Sequence, residues 1–386
     1  MNLLPKKANT EVANSEVITV GNFRSTQYSL ISYFMNLCVE YVSKQNKNYL
    51  QVHNITIREN STHNSIHHNL LTQVSVDVKS TQQNVTTIKT FMKFQIPTLV
   101  DNCFFILNEN RFVPTLYILD QPIVIKKDSI KLSSTFNSIT IYDRLVTFMG
   151  NNIPASYFLD LFLSNSDSEE ADLKREIRSE FSILNIPISD SDLLNYFSNL
   201  LKCDADRDEI QQYFHNIFFD DYTKMLYQQC YNLEEKDLTI TKLLGQMINL
   251  YRTQHPDTFI DLTQKRVVFI EVLLWPIFKR IASVAIQASR GLYVNEIAMD
   301  QMSLVKHFYT TLHNKFIYDN SNAYDVIIQH KAHMLGPNAE RAPSNIANLH
   351  PTHFQKICPI SVSSQNPGET IFIISEAKLD IFGRFI

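Results

Sequence analysis

A chain of 386 residues, 44% hydrophobic and 19% charged, can bury a sizeable core; disorder over the whole length is excluded and two or three domains are expected. Its formal charge of −4 neither predicts nor excludes nucleic-acid binding, because a local basic channel can sit on an acidic exterior. Seven glycines leave little material for a glycine-rich phosphate cradle, and five scattered cysteines, Cys38, Cys103, Cys203, Cys230 and Cys358, with no C-x-x-C pair, fit neither a disulfide framework nor a zinc ribbon.

The opening "MNLLPKKANTEV" lacks the apolar core of a secretory signal. The longest apolar run, Val267 to Phe278, is short and carries Glu271, so a soluble protein in a reducing cytoplasm is expected. Asn, Ile, Lys, Phe and Tyr are abundant, a bias that fits an AT-rich genome.

In chain order, "YSLISYFMNLCVEYV" spaces Leu30, Phe34, Leu37, Val39 and Tyr41 as an apolar stripe close to helical spacing and predicts a helix over 26–44. Alternating and β-branched runs punctuated by Asn, Asp and Pro predict mostly strand over 49–142. Helices are expected over 155–255, one of them capped by Ser166 with Glu169 three residues on, another burying Leu193, Leu194, Phe197, Leu200 and Leu201. "DLTQKRVVF" reads as a helix opened by Asp261 with Lys265 and Arg266 in its first turns. Cations there oppose the macrodipole, so they call for a structural or phosphate partner unless they are simply solvated. A long helix kinked at Pro276 follows, and 320–386 reads as loops and short strands. The fold class is α+β and multidomain.

Three constellations could carry chemistry. His350-x-x-His353 has the spacing of zinc ligands on a helix, but Pro351 lies between them, holds His350 extended, and no Glu follows His350; a structural role is favoured over a metal-dependent enzyme. Cys358 with His353 could be nucleophile and base, yet Cys358 sits in an apolar "ICPI" before Pro359 and reads as a buried thiol. "HKAHMLGPNAERAP" gathers His330, Lys331, His333 and Arg341 around a turn, as a loop touching phosphates or a solvated surface loop would. No G-x-S-x-G, Walker loop or D-x-D-x-D cluster is present.

Taken in order, these stretches resemble the N-terminal half of the β (second-largest) subunit of multisubunit DNA-directed RNA polymerases. "FMKFQIPTLVDNCFFILNENRFV" resembles F-x-G-x-I-P-x-M-x-x-x-G-x-F-I-I-N-G-x-E-R-V of the protrusion, without its glycines. "NNIPASYFLDLFL" is similar to the family's I-P-x-x-x-L-L-x-A-L-G at the start of the lobe, and "DLTQKRVVF" to its D-x-x-G-N-K/R-R return. The fork segment carries Phe316 and Asp319, His330 and Lys331, Leu335 to Pro337, Arg341, then His350 to Ile360 as H-P-T-H-F-Q-K-I-C-P-I. After Ile360 the family has E-T-P-E-G-P-N where this chain has "SVSSQNPGE"; "LDIFGRFI" resembles its E-Y-G-F-I/L. The pattern looks like the split β subunits of giant bacteriophages.

The resemblance implies a mixed α/β protrusion (1–143 and 259–314), a mainly helical lobe insertion (144–258) and a loop- and strand-rich fork segment (315–386). It implies a nucleotidyltransferase subunit for transcription of phage genes in the cytoplasm of the infected host, with no activity of its own. Lys331, Arg341, Lys356, Lys265 and Arg266 are the implied nucleic-acid contacts, while Asp319, His350, His353 and Pro359 hold the fork. No cofactor is expected on this chain; Mg2+ belongs to the partner largest subunit. Implied partners are the C-terminal β fragment, β′-like fragments, a promoter-specificity subunit, DNA template and RNA transcript, with no membrane. The alternative is a non-enzymatic phage protein on a polymerase-derived scaffold that regulates host polymerase.

Overall fold

The computed structural model describes residues 17–45, 49–64, 67–82, 85–101, 104–107, 109–114, 116–126, 129–142, 144–163, 167–183, 188–202, 205–253, 261–289, 294, 296–299, 304, 307, 332–334, 350–358 and 370–386. The fold is α+β. It divides into two compact units: one of Met1–Asp120, Phe259–Val284 and Tyr293–Ile386, the other of Gln121–Thr258 and Ala285–Leu292. Among the described residues no helix is long and apolar enough to cross a membrane.

The first unit opens with β1 (Ile18–Thr19), α1 (Val20–Ser29) and α2 (Ile31–Gln45). The helix expected over 26–44 therefore begins earlier and breaks at Leu30. The reason is physical: α1 buries Val20, Phe23, Arg24 and Gln27, a helical i, i+3, i+4, i+7 stripe that is half polar. Arg24 Nε donates to the Pro114 carbonyl at 2.7 Å and Gln27 Nε2 to that of Ile381 at 2.9 Å, which offsets the desolvation that unpartnered burial imposes. A search for apolar periodicity does not register such a stripe.

Strands β2 (Tyr49–Asn64), β3 (His67–Gln82) and β4 (Val85–Pro97) form an antiparallel sheet in that order. On β3 the residues Thr72, Val74, Val76, Val78 and Ser80 are buried, and those between them are not, the two-residue period of a half-buried strand. The β3–β4 register passes from Val76↔Met92 to Asp77↔Thr90, so Phe91 is the extra residue of a bulge. Phe91 and Met92 are consequently both buried, and the Phe91 carbonyl accepts from Ile297 N–H at 2.6 Å. The hairpin of β5 (Phe105–Leu107) and β6 (Asn110–Phe112) follows, then β7 (Leu116–Asp120).

The second unit starts with an antiparallel meander, β8 (Ile123–Lys126), β9 (Ser129–Ser133), β10 (Ser138–Ile141), β11 (Leu145–Phe148) and β12 (Asn151–Pro154), each beside its sequence neighbour. Helices α3 (Ala155–Phe162), α4 (Ser168–Glu180), α5 (Asp190–Leu201), α6 (Arg207–Phe218), α7 (Asp221–Tyr231) and α8 (Ile240–Thr253) occupy the stretch expected to be helical. Ile130, Leu132, Ile139 and Val146 of the meander share one core with Phe158, Phe197, Phe214 and Leu244 of the helices. That is why this unit begins at Gln121 rather than at the change of periodicity near 144. Asp167, Ser189, Asp206 and Asp220 cap α4, α5, α6 and α7 through their side chains, each cap worth about 1 kcal/mol. The expected cap Ser166 lies outside the described residues, and Asp167 does that work. On α5 only Leu193 and Phe197 of the five expected core positions are fully buried, while Leu194, Leu200 and Leu201 pack at the margin.

Asp220 has a further consequence. It is buried and accepts from Thr223 N–H at 2.9 Å, Thr223 Oγ1 at 2.6 Å and Thr135 Oγ1 at 3.0 Å, tying the β9–β10 turn to the start of α7. Burial pushes its carboxyl above the ordinary 3.8, against the opposing pull of these donors. A folded-state pKa above the unfolded one adds stability below the unfolded value and forfeits it as pH rises through the folded value. The stability of the native protein relative to Asp220→Asn should therefore improve as pH falls from neutral towards 3.8. Urea unfolding of both proteins across that range checks this; a difference moving the other way means the three donors outweigh burial.

The return to the first unit differs from expectation. After cap Asp261 only a single 3-10 turn forms, Leu262–Gln264, and Lys265 and Arg266 lie on a strand, β13 (Lys265–Val268). Then come α9 (Ile270–Ser289), β14 (Ala332–Met334), a 3-10 turn at Pro351–His353, β15 (Thr370–Phe372) and β16 (Lys378–Leu379). The sheet runs β13-β7-β14-β15, with β7 antiparallel to β13 and parallel to β14; β16 pairs β1. All four residues of β13 are buried, so the strand has no polar face to reveal its period. The long helix α9 continues through Pro276. Pro276 has no N–H for the Val272 carbonyl four residues back, and His307 Nε2, 3.1 Å away, donates to it.

Candidate nucleic-acid interface

Lys331, Arg341, Asp319 and Pro359 lie outside the described residues. The remaining expected site residues, Lys265, Arg266, His350, His353 and Lys356, all belong to the first unit.

His350, Pro351, Thr352 and His353 build a self-capped turn. The Thr352 hydroxyl accepts from Leu262 N–H at 3.1 Å and lies 2.8 Å from His350 Nδ1, to which it donates because that nitrogen is an acceptor. His350 Nδ1 also accepts from Thr352 N–H at 3.3 Å, while the His350 N–H points to His353 Nδ1 at 3.4 Å. Acceptance at Nδ1 places the proton of each neutral ring on Nε2. Pro351 suits the first position of such a turn because its absent N–H has no bond to make there. His353 is buried, with the two rings 6.0 Å apart. Both Nδ1 atoms are thus committed within the turn, and the Leu262 bond clamps it to the turn preceding β13.

Among the described residues no three His, Cys, Asp or Glu side chains gather as metal ligands. Cys358 is a half-buried thiol outside any disulfide. Its neighbour Ile357 is buried and bridges Ile373.

Lys356 is partly exposed. Its backbone is held on both sides, N–H to the His353 carbonyl at 3.0 Å and C=O from Ile374 N–H at 2.9 Å. Its ammonium stands 5.6 Å from the centre of the Phe385 ring, a distance at which the ring quadrupole attracts a cation. The charge is placed by the frame and stays at its surface.

Lys265 and Arg266 are a correction. Both are buried and each has a carboxylate partner in place of a phosphate. Lys265 faces Asp120 across the β13–β7 register and forms an ion pair with it. Arg266 makes a fork with Glu271, Nη1 to Oε1 and Nη2 to Oε2, each at 2.6 Å. Of the three readings left open for these cations, the structural partner is the one found, and their strand placement removes the conflict with a helix dipole. Sequence could have shown this only through pairing: Asp120 lies 145 residues away.

A short hairpin, in which Leu379 bridges Phe385, closes the frame. Val267 N–H donates to the Gly383 carbonyl at 2.7 Å and Arg266 bridges Arg384, so β13 is held on one edge by β7 and on the other by this hairpin. No family model matches this chain, and no curated protein matches it either.

Proposed function

We propose that the chain is the N-terminal part of a split β subunit of a phage-encoded, multisubunit DNA-directed RNA polymerase, supplying protrusion, lobe and part of the fork. One observation carries the reading. Segments that resemble the family in sequence order, Asp261 to Val268, His350 to Cys358 and Leu379 to Ile386, are bound to one another by the bonds above, and Ala332 to Met334, the link between the matching His330-Lys331 and Leu335 to Pro337, pairs with β7 as Asp261 to Val268 does. A frame of that kind suits a fork whose task is to position other chains' chemistry. Lys356 stands at its surface, and Lys331 and Arg341 are the further phosphate contacts that the sequence offers. Nucleotidyl transfer requires Mg2+ held by carboxylates, which in this reading the largest subunit provides.

The test is to tag the chain in infected cells, purify it at moderate salt, identify stoichiometric partners by mass spectrometry and assay extension of a primed scaffold. Partners resembling the remaining β and β′ pieces, with Mg2+-dependent extension, are the expected result. Recovery alone, or with intact host polymerase and no new activity, overturns the reading in favour of a regulator built on the same scaffold.

A further inference from the structure

Trp275 is the single tryptophan of the chain and stands 44% exposed on α9. Leu273, Leu274, Ile277 and Phe278 on the same two turns are buried, so the indole occupies the outward side of a helix whose inward side is core. Lys279 and Ser283 follow at four-residue steps, both exposed, and share that outward stripe; Arg280 is also exposed but stands about 140° round the helix from Trp275, at the far edge of the outward side. Lys279 Nζ lies 5.3 Å from the indole centre. Among the described residues neither Lys279 nor Arg280 has a carboxylate partner; the acidic residue of this helix, Glu271, is committed to Arg266.

A half-exposed indole beside two uncompensated cations restricts the ligand. An acidic peptide would satisfy the cations through its carboxylates, but would match the indole only where it also carries an apolar or aromatic side chain. A duplex hides its base faces in the stack. Single-stranded nucleic acid offers both a π-face and flanking phosphates. We infer that this stripe of α9 binds single-stranded nucleic acid, with Trp275 stacking on a base while Lys279 and Arg280 contact neighbouring phosphates. The inference deepens the polymerase reading and rests on it for the strand's origin.

Because the tryptophan is single, emission excited at the red edge of the absorption band, where the tyrosines do not absorb, reports this position alone. Titration with oligo-dT should quench it to saturation. In a Lys279→Ala/Arg280→Ala double variant the slope of log affinity against log salt should fall by about 1.4, two contacts at about 0.7 each. With a labelled oligo-dT, Trp275→Ala should weaken binding at least about fivefold. All three positions are exposed, and an unchanged circular dichroism spectrum verifies the fold of each variant. Absence of quenching by oligo-dT overturns the inference, as does equal quenching by a duplex or by polyglutamate, which would mark a plain anion surface. Failure of the polymerase reading is seen separately, in which proteins copurify with the chain.

Discussion

Gly383→Ala is expected to destabilise the first unit by about 2–5 kcal/mol, through two effects that add. Gly383 closes a three-residue loop between Asp380 and Arg384: Gly383 N–H donates to the Asp380 carbonyl at 3.0 Å, and Asp380 N–H to the Arg384 carbonyl at 3.0 Å. The Asp380 carboxylate accepts from the backbone N–H of Phe382 and of Arg384, both at 2.9 Å. Such a loop ends with a residue in the left-handed region, and Gly383 has φ +82°. A side chain there costs about 1–2 kcal/mol from backbone sterics alone. A Cβ at this position would also lie 1.8 Å from the Val267 carbonyl oxygen and 3.1 Å from Phe23 Cζ, and overpacking against groups that cannot withdraw adds about 1–3 kcal/mol. Gly150 separates the two terms. It too has positive φ, +75°, but nothing within 4 Å of an added Cβ, so Gly150→Ala should show only the backbone part. Urea unfolding of both variants, with hydrogen exchange at Val267 as the local probe, checks the result; equal losses would mean that the hairpin shifts to relieve the clash.

The same residues show what sequence could and could not reveal. Segments with one dry face and one wet face were legible: the alternation along β3, the helices from Ala155 to Thr253, and the strand character before them. Segments whose pattern is set by tertiary partners were not. α1 buries Arg24 and Gln27 because Pro114 and Ile381 carbonyls await them. β13 is buried on all sides, so its four residues look no different from a helix turn that follows Asp261. The second unit starts at Gln121 because its meander and helices share a core, which no local change in composition announces. For the candidate site, the motif His350 to Cys358 stands out in the sequence, but its bond to the turn before β13 does not; the partner of Lys265 lies 145 residues away, and that of Arg266, though only five residues on, would not face it had the segment been the expected helix. His307 could have been sought from one signal, the helix carbonyl that Pro276 leaves without a donor, though sequence does not say which group would fill it.

Glu271→Ala should destabilise the first unit by about 3–5 kcal/mol, the range for removing one partner of a buried ion pair. The side chains of Arg266 and Glu271 are only 10% and 16% exposed, and the two parallel bonds of the fork are charge-assisted. Glu271 also lies in the first turn of α9, where the helix dipole favours a carboxylate. Its loss therefore strands a guanidinium at the β13–α9 corner and removes a favourable terminal charge together. Glu271→Gln keeps the shape and one acceptor, so it should lose less than Glu271→Ala. Replacing both partners, Arg266→Met with Glu271→Leu, should recover most of the loss, since an apolar pair of similar volume avoids the desolvation of two ions. The comparison bears on function as well as stability. If Glu271→Ala proved nearly neutral in urea unfolding, Arg266 would have to reach solvent easily, and its exclusion from the phosphate contacts would fall. If the three variants instead rank as expected, the Lys-Arg of the return segment is an internal brace, and the search for contacts with a nucleic-acid strand moves to Lys356 and the outward stripe of α9.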